Sequence, residues 1–499
     1  MSKDNIFALT GFALCVALFF YWGHGFVSPT YFWLFIITAI LGLFLAFNIG
    51  ANDVANAFGT SVGAKTLTLK QALLIAAVFE LSGAVFAGGA VTKTIKNGIV
   101  SMPKDTDPML FGMVMLAALT SSGIWIFIAT YKSLPVSSTH SIVGGIVGAA
   151  LAMGFFELGP GSSLAMLDGV AMLKIVASWF ISPVMGGIAA YIVFAFIHRK
   201  IILPTRLKNI EVKSIKKERK EYKKGYIKAL LLKSDEEKEK ELAALLENEG
   251  EYKEAIEVYK DREKDINALS NIDYYVPIVA CLCAATISSM LVFKSLNTGL
   301  DLAASLWIIL LISIAAHIIC TGFVKSMKRS EPNKMINIIF SWFQIFTASA
   351  FAFSHGASDI SNALGPFLGV LEVLKGGEMA QSMEIPLPAM LAFGIALVAG
   401  LWFLGKNVIG TVGEHLATIR PTTGFSAEIA SSAVILLATK FGIPVSSTHI
   451  LIGAVLGIGV FNKDAKWGAM KPIALAWLIT LPASALMAAG FFLIFRLIF

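Results

Sequence analysis

Long apolar runs separated by shorter polar stretches follow one another along most of this chain. A helix needs about 20 largely apolar residues to cross the hydrocarbon core of a bilayer. Thirteen runs reach or approach that length. They cover residues 6–22, 31–49, 71–92, 109–131, 138–157, 171–197, 274–293, 302–324, 336–354, 388–405, 424–441, 446–461 and 472–498. The pattern predicts an all-α polytopic membrane protein with about 12–13 hydrophobic helices, of which the shorter ones are half-helices.

Charge is concentrated in one segment. Residues 199–271 contain 19 of the 40 Lys and Arg and 16 of the 33 Asp and Glu, whereas the other 426 positions contain 21 and 17. So few charges cannot cover a soluble surface, which predicts lipid as the solvent of the bulk of the chain and excludes soluble enzymes. Neither part has the basic excess of a nucleic-acid-binding protein. Lys-rich short loops predict a multi-pass protein of the cell (inner) membrane whose central segment is a cytoplasmic helical insert.

Two motifs occur twice at nearly the same separation. Residues 48–59 and 354–365 share six identities at a spacing of 306, and Pro-Val-Ser-Ser-Thr-His recurs with a spacing of 309. Matching spacings in two independent motifs indicate a duplication. Seven apolar runs separate the copies, and an odd number of crossings predicts inverted repeats with broken or re-entrant helices at the substrate site. The predicted domains are an extra N-terminal transmembrane helix at 1–30, a first repeat at 31–198, the insert at 199–272, connecting helices at 273–330 and a second repeat at 331–499.

The first motif places Asp53 and Asp359 at the predicted ends of apolar helices, beside Gly, Asn and Ser. A carboxylate at membrane depth costs roughly 2.5–3.5 kcal/mol on insertion scales and tends to mark an ion or substrate path. The neighbouring glycines also permit a broken helix whose free carbonyls would join the carboxylate around a hard cation. The simpler interpretation is that each Asp caps a helix. The duplication favours function.

The second motif begins an apolar, glycine-rich helix in each copy. Its Pro stops an upstream helix, and Ser or Thr then occupies the N-cap region. Such a helix start offers free N–H groups, a positive dipole end and hydroxyl donors, which together suit an anion. Plain capping is the alternative. The motif ends with His140 in one copy and His449 in the other. Both are interpreted as packing residues, and direct binding of a ligand by them is the alternative.

Two further acids, Glu80 and Glu428, lie inside apolar runs and have no acidic counterpart at the repeat spacing. They are candidates for coupling-ion ligands or proton carriers, and pairing with a hydroxyl or Lys is the alternative. His355 and Gln344 are weaker candidates of the same kind. Because four acids would repel an anion unless cations or protons screened them, these features together predict symport of a small tetrahedral oxyanion.

At these residues the sequence resembles the inorganic phosphate transporter (PiT) family. The resemblance lies in Gly-Ala-Asn-Asp-Val-Ala-Asn-Ala at 50–57, its variant at 356–363, the paired Ser-Ser-Thr-His elements and the large hydrophilic loop between them. It implies cation-coupled uptake of inorganic phosphate by a homodimeric carrier without a cofactor, and not an enzyme. The phosphate-binding residues that it implies are Asp53, Asn56, Ser137, Ser138, Thr139, Asp359, Asn362, Ser446, Ser447 and Thr448. The cation-coupling residues predicted beside them are Asn52, Asp53, Glu80, Ser358, Asp359 and Glu428.

This chain departs from the family pattern at Ser358, where an Asn is usual, and in its additional N-terminal run. The proton-coupled branch often has His before the first Asp, whereas this chain has Asn52, which favours Na⁺ as the coupling ion. Proton-coupled phosphate transport and sulfate transport remain the nearest alternatives. A divalent-metal carrier is disfavoured because the motifs offer no Cys or Met ligands. An intramembrane Ser/His hydrolase is disfavoured because Ser and His lie too close together on one short element.

Overall fold

The computed structural model is built from α-helices. It describes residues 3–88, 92, 100, 106–159, 163, 166–167, 169–246, 250–266, 270–295, 300–327, 331–376, 385–405, 408–409, 418–440 and 445–499. The helices in this part of the chain are α1 (Lys3–Phe26), α2 (Phe32–Gly63), α3 (Leu69–Ala87), α4 (Pro108–Tyr131), α5 (Ser138–Met153), α6 (Gly169–Ile197), α7 (Leu203–Leu231), α8 (Asp235–Leu246), α9 (Glu251–Asp265), α10 (Ser270–Met290), α11 (Leu302–Ser326), α12 (Pro332–Gly376), α13 (Leu387–Leu404), α14 (Pro421–Lys440), α15 (Ser447–Asn462) and α16 (Trp467–Ile498).

Eleven helical segments among the described residues are long and apolar enough to cross a bilayer. The prediction of an all-α polytopic membrane protein is therefore confirmed. Many of these helices keep their apolar surface exposed. In α11, protein buries only 17% of the most apolar stretch, as expected for a helix solvated by lipid. Two of the thirteen predicted runs differ. The α14 helix contains several Ser and Thr and is less apolar, and α15 has only 16 residues, or about 24 Å.

Glycines bring α2 into close contact with α13. A Cβ at Gly50 would collide with the backbone carbonyl of Leu397, and a Cβ at Gly400 would collide with that of Phe47. Small residues at such crossings let helix backbones approach closely in a membrane, where no hydrophobic effect drives helices together. Gly50 of the first motif is therefore a packing residue.

The second copy of the motif repeats this packing with α12 and α3. A Cβ at Gly356 would collide with the backbone of Glu80, and a Cβ at Gly83 would collide with that of Phe353. Gly356 and Phe353 lie 306 residues after Gly50 and Phe47. On the partner helices, Leu397 and Gly400 lie 317 residues after Glu80 and Gly83. The duplication detected in the sequence is thus a duplication of helix packing, in matching register.

The Ser-Ser-Thr-His helices show a second repeated contact. Gly144 and Gly148 of α5 approach the backbone of α16 at Leu481 and Ala485. At a spacing of 309, Gly453 and Gly457 of α15 approach the backbone of α6. The residues that they meet there are Pro183 and Gly187. In both copies, a helix of one half packs against a helix of the other.

The chain separates into two compact units. The first comprises Met1–Phe194, Cys283–Leu311 and Phe340–Phe499, and it contains both copies of both motifs. The second comprises Ala195–Leu282 and Ile312–Ile339 and includes the charged segment. Within it α9 packs on α7 through Tyr222, Tyr226 and Tyr252, whose rings lie 4.6–6.5 Å apart, and α9 also buries Ile256.

Candidate functional site

Both signature aspartates lie inside continuous helices. Asp53 is in the C-terminal half of α2 and Asp359 is in the middle of α12. The expectation that they lie at helix ends is wrong, and so is the simpler interpretation that they cap helices. The helix is not broken at either Asp, and the glycines three residues earlier, Gly50 and Gly356, lie at close helix crossings instead. The interruptions predicted at the site fall instead at the second motif.

His355 gathers three buried carboxylates. Its Nε2 atom lies 2.7 Å from Oδ2 of Asp359 and 3.9 Å from Oδ2 of Asp53. Its Nδ1 atom lies 3.4 Å from Oε1 of Glu80. All four residues are at most 5% exposed. Three helices therefore deliver the cluster: α2 gives Asp53, α3 gives Glu80, and α12 gives both His355 and Asp359, one helical turn apart.

This cluster has the composition and spacing of a cation site. One ligand atom each from Asp53, His355 and Asp359 all lie within 4.8 Å of one another. Carboxylate oxygens suit hard cations such as Na⁺. Since a buried carboxylate without a partner is costly, three of them around one imidazole need further positive charge to become neutral.

The two Ser-Ser-Thr-His elements start short helices at the same place. Ser137 accepts a hydrogen bond from the backbone N–H of His140 (3.2 Å), and Ser446 accepts the equivalent bond from His449 (3.3 Å). The predicted N-capping is thereby confirmed, and it uses the first Ser of each motif. The His140 and His449 rings are 4.5 Å apart, so the first turns of α5 and α15 are neighbours.

Side chains of the two motifs contact each other across the halves. Thr448 donates a hydrogen bond to Oδ1 of Asp53 (3.0 Å). The amide of Asn362 donates to Ser138 (3.2 Å) and Thr139 (3.3 Å). The signature of each half is thus connected to the helix start of the other half. These contacts join the carboxylate cluster to the two N-termini.

Both motif histidines pack against tryptophans. The ring of His140 lies 4.3 Å from that of Trp179 on α6, and His449 stacks on Trp477 of α16 at 3.8 Å. These two pairs are again related by the repeat spacings, 309 for the histidines and 298 for the tryptophans. Trp477 also donates to the carbonyl of Pro135 (3.2 Å), which fixes the turn before α5. The rings form a packed support behind the helix starts.

Glu428 of α14 lies at the centre of a second buried polar cluster. Its Oε1 atom accepts hydrogen bonds from Thr60 (2.5 Å), Ser61 (3.2 Å) and the Gln344 amide (3.3 Å), and its Oε2 atom accepts one from Thr347. Gln344 in turn accepts a bond from Thr66 (2.6 Å). A side chain at Gly424 would collide with the Gln344 amide, so it would displace Gln344 from Glu428.

The remaining predicted residues have other surroundings. The Asn52 amide donates to Thr130 and to the Leu134 carbonyl and accepts from the Val136 N–H, each at 2.9–3.0 Å, so its contacts hold the segment before α5. Ser358 and Ser447 are half-buried. The Asn56 side chain lies outside the described residues.

The sequence left open the pairing of Glu428 with a hydroxyl, which the structure shows, but it identified neither these hydroxyls nor the central place of His355. Thr60 and Ser61 follow the first signature directly, and Thr347 lies one helical turn after Gln344. A polar stripe inside an apolar helix was therefore the available signal for Thr347. His355 precedes Asp359 by four residues, which places both on one helix face.

Known proteins match this chain over nearly its whole length. Residues 49–488 match the phosphate transporter family. A Mycobacterium bovis protein named as a phosphate permease is 42% identical over 93% of this chain and 87% of its own length. The inorganic phosphate transporter 2-1, chloroplastic, of Arabidopsis thaliana is 32% identical over 92% of this chain and 71% of its own.

A solved structure described as the sodium-dependent phosphate transporter superimposes with a TM-score of 0.73 at 30% identity, covering 93% of this chain and 99% of that one. The resemblance stated from the motifs is confirmed by a family match that spans both signatures and both helix starts. The family consists of transporters and permeases and not of enzymes. The chain is an integral membrane protein that belongs to the phosphate transporter family.

Proposed function

We propose that this protein imports inorganic phosphate together with Na⁺ by alternating access. The observation that supports this most directly is the cluster of Asp53, Glu80 and Asp359 around His355, joined by hydrogen bonds to two adjacent helix N-termini. Three carboxylates beside an anion site would only repel the anion in a transporter that binds nothing else. In a transporter that binds cations together with the anion, the same carboxylates hold the cations.

Phosphate is proposed to bind at the first turns of α5 and α15. Free N–H groups and the positive dipole end of a helix favour an anion, and here two helix starts are adjacent. The proposed hydroxyl and amide donors are Ser138, Thr139, Thr448 and Asn362. Ser137 and Ser446 then act as caps that present these donors. Asn56 and Ser447 complete the proposed set in accordance with the duplicated motif.

Na⁺ is proposed to bind the carboxylate oxygens of Asp53 and Asp359 that His355 also approaches. Without cations, the carboxylates would repel phosphate, since two unit charges 4 Å apart interact by about 4 kcal/mol at an effective dielectric constant of 20. Bound cations turn that repulsion into attraction, which makes transport of the two species interdependent. Glu80 completes this cluster, and Asn52 and Ser358 neighbour the two aspartates in sequence.

Glu428 is proposed as the ligand of a second cation, outside both motifs. The hydroxyls of Thr60, Ser61 and Thr347 already surround its carboxylate, and hydroxyl and amide oxygens are hard ligands. Thr60 and Ser61 lie on α2, which also holds Asp53. Thr347 lies on α12, which also holds Asp359. Binding at Glu428 is therefore positioned to influence the phosphate site through rigid helices.

The duplicated packing supports a transport cycle in which two inverted repeats exchange roles. We propose that the repeats have opposite orientation, that the protein is a homodimer in the cell membrane, and that the charged insert faces the cytoplasm. Substrate sites at the interface of such repeats are typical of secondary transporters.

Uptake of radiolabelled phosphate by purified protein in liposomes tests the proposal. An inward Na⁺ gradient is expected to drive uptake in the wild type. Asp53→Asn and Asp359→Asn are expected to abolish it, because each removes charge from the cation site. Asp301→Asn is the matched control, since Asp301 is an exposed residue that caps α11 through the Ala304 N–H (2.7 Å).

Four outcomes would contradict parts of the proposal. Uptake driven equally by a proton gradient without Na⁺ would remove the sodium assignment in favour of proton coupling. Transport of sulfate without phosphate would refute the substrate. Full activity of Asp53→Asn would refute the site. Ester or peptide hydrolysis by the purified protein would instead favour the hydrolase alternative.

A further inference from the structure

The charged insert divides into a basic part and an acidic part. Residues 198–231, which include α7, contain 12 Lys and Arg and 3 Asp and Glu, whereas residues 232–271 contain 7 and 13. The basic part follows the apolar α6 without a helical break, through a π-helical turn at His198–Ile202. The positive charge of the insert is thus located where the chain leaves the apolar run that precedes the insert.

Two contacts within the second unit indicate where the membrane surface meets α7. Near its start, the ring of Tyr275 lies 6.0 Å from that of Phe196 and 5.9 Å from Nζ of Lys200. Tyrosines are enriched at the membrane–water interface. Further along, Lys213 pairs with Glu331 (3.0 Å), the residue before α12 begins, and its hydrogen bond lowers the pKa of Glu331. Lys200 and Lys213 therefore each lie beside the beginning of a neighbouring apolar helix.

One face of α7 at this level is apolar and exposed. Leu203, Leu207 and Ile210 are 40%, 57% and 56% exposed, while Thr205 and Asn209 on another face are buried. The spacing of four and three residues places the three aliphatic side chains in one stripe. A stripe of large aliphatic side chains at the membrane surface is suited to lipid, with its apolar part in the acyl region.

Two arginines border this stripe. Arg199 and Arg206 are exposed and lie four residues before and three residues after Leu203, on the same side of the helix. In the described part of the chain neither has a carboxylate within ion-pair distance, in contrast to Arg219, which pairs with Glu263 (2.9 Å). A guanidinium binds phosphate groups with two parallel hydrogen bonds.

We propose that the face formed by Arg199, Leu203, Arg206, Leu207 and Ile210 is a binding site for an anionic phospholipid. The arginines bind the headgroup phosphate, and the three aliphatic side chains contact the upper part of the acyl chains. Charge complementarity and continuity with the apolar α6 select a lipid over a protein partner, because the face is both basic and at the level of the membrane surface. The site is independent of the proposed transport site.

The test compares full-length wild type with the Arg199→Gln/Arg206→Gln double variant in detergent. Each is titrated with phosphatidylglycerol or with phosphatidylcholine while thermal unfolding and native mass spectra are recorded. Lys223→Gln/Lys224→Gln is the matched control, because it removes two exposed charges further along the same helix. Each basic residue near an anionic surface contributes about a factor of five, so the arginine variant is expected to bind phosphatidylglycerol roughly thirtyfold more weakly. The control is expected to match the wild type.

Three results would overturn the site. The first is an unchanged phosphatidylglycerol titration in the arginine variant. The second is an equal loss in the lysine control, which would indicate non-specific attraction. The third is competition by inorganic phosphate at the same concentration, which would indicate a simple anion site. Sodium-dependent phosphate uptake in liposomes of phosphatidylcholine shows separately whether the variant is folded.

Discussion

Replacement of His355 by Gln tests the charge balance of the carboxylate cluster. The imidazole is the only basic side chain that the described residues place against Asp53, Glu80 and Asp359, at 3.9, 3.4 and 2.7 Å. Gln is similar in length and stays uncharged, so the variant leaves the cavity filled while it removes the cationic partner. We expect the variant to be less stable in sodium-free buffer.

The magnitude follows from the burial of these groups. Removing one partner of a buried ion pair costs about 3–5 kcal/mol, because the other charge stays buried without compensation. Sodium that binds only the folded protein restores part of this loss, about 2.7 kcal/mol at 100 times the dissociation constant. Because Na⁺ and the imidazole would occupy the same carboxylate oxygens, Na⁺ is expected to stabilise the variant more than the wild type.

Thermal unfolding in detergent, in sodium chloride and in choline chloride, measures this difference. His317→Gln is the control, because His317 is exposed on α11 and does not belong to the cluster of Asp53, His355 and Asp359. A Glu80→Gln/His355→Gln double variant should recover part of the stability, since it removes a negative charge together with the positive one. Equal sodium-dependent shifts in the wild type and His355→Gln would refute the idea that imidazole and Na⁺ share a site.

Three further predictions concern packing, substrate and coupling. Gly400→Ala should lower the unfolding temperature, through about 1–3 kcal/mol of overpacking against Phe47, whereas Gly322→Ala, which meets nothing within 4 Å, should be neutral. Thr448→Val removes a hydrogen bond to a carboxylate, worth about 1.5–3 kcal/mol, and should weaken phosphate uptake at low phosphate by roughly tenfold or more. Thr321→Val, at an exposed hydroxyl, should leave uptake unchanged. Glu428→Gln should raise the sodium concentration needed for half-maximal uptake at least tenfold, because a bond to a charged group contributes about 1.5–3 kcal/mol; an unchanged sodium dependence would exclude Glu428 as a cation ligand.

The membrane fold and the start of each short helix could be predicted from the sequence. Long apolar runs admit few structures other than spanning helices, because backbone groups in lipid must be paired within the segment. Pro followed by Ser and Thr fixes a helix start locally, so a Ser or Thr cap could be expected in each motif, and the structure identifies it as Ser137 and Ser446. Both features depend on neighbours in the chain and not on the tertiary fold.

The conformation around Asp53 and Asp359 could not be predicted in this way. Glycine beside a buried Asp is compatible with a broken helix and with a close helix crossing, and only the partner helix distinguishes them. The structure supplies those partners, Leu397 for Gly50 and Glu80 for Gly356. The grouping of Glu428 with Thr60 and Thr347 was equally hidden, because it joins residues 368 and 81 positions apart.

The packing register also bears on Glu80, the acid of the cluster that has no acidic counterpart in the other half. Glu80 and Leu397 occupy equivalent positions. Gly356 packs against the backbone of Glu80, and Gly50 packs against the backbone of Leu397. The two positions are 317 residues apart, the same spacing as between Gly83 and Gly400. The same backbone crossing thus accepts a carboxylate in one half and an aliphatic side chain in the other. Packing therefore does not require the acid at position 80. A buried acid that the fold does not need is costly unless a cation or a proton compensates it, which favours a role for Glu80 in coupling over a structural one.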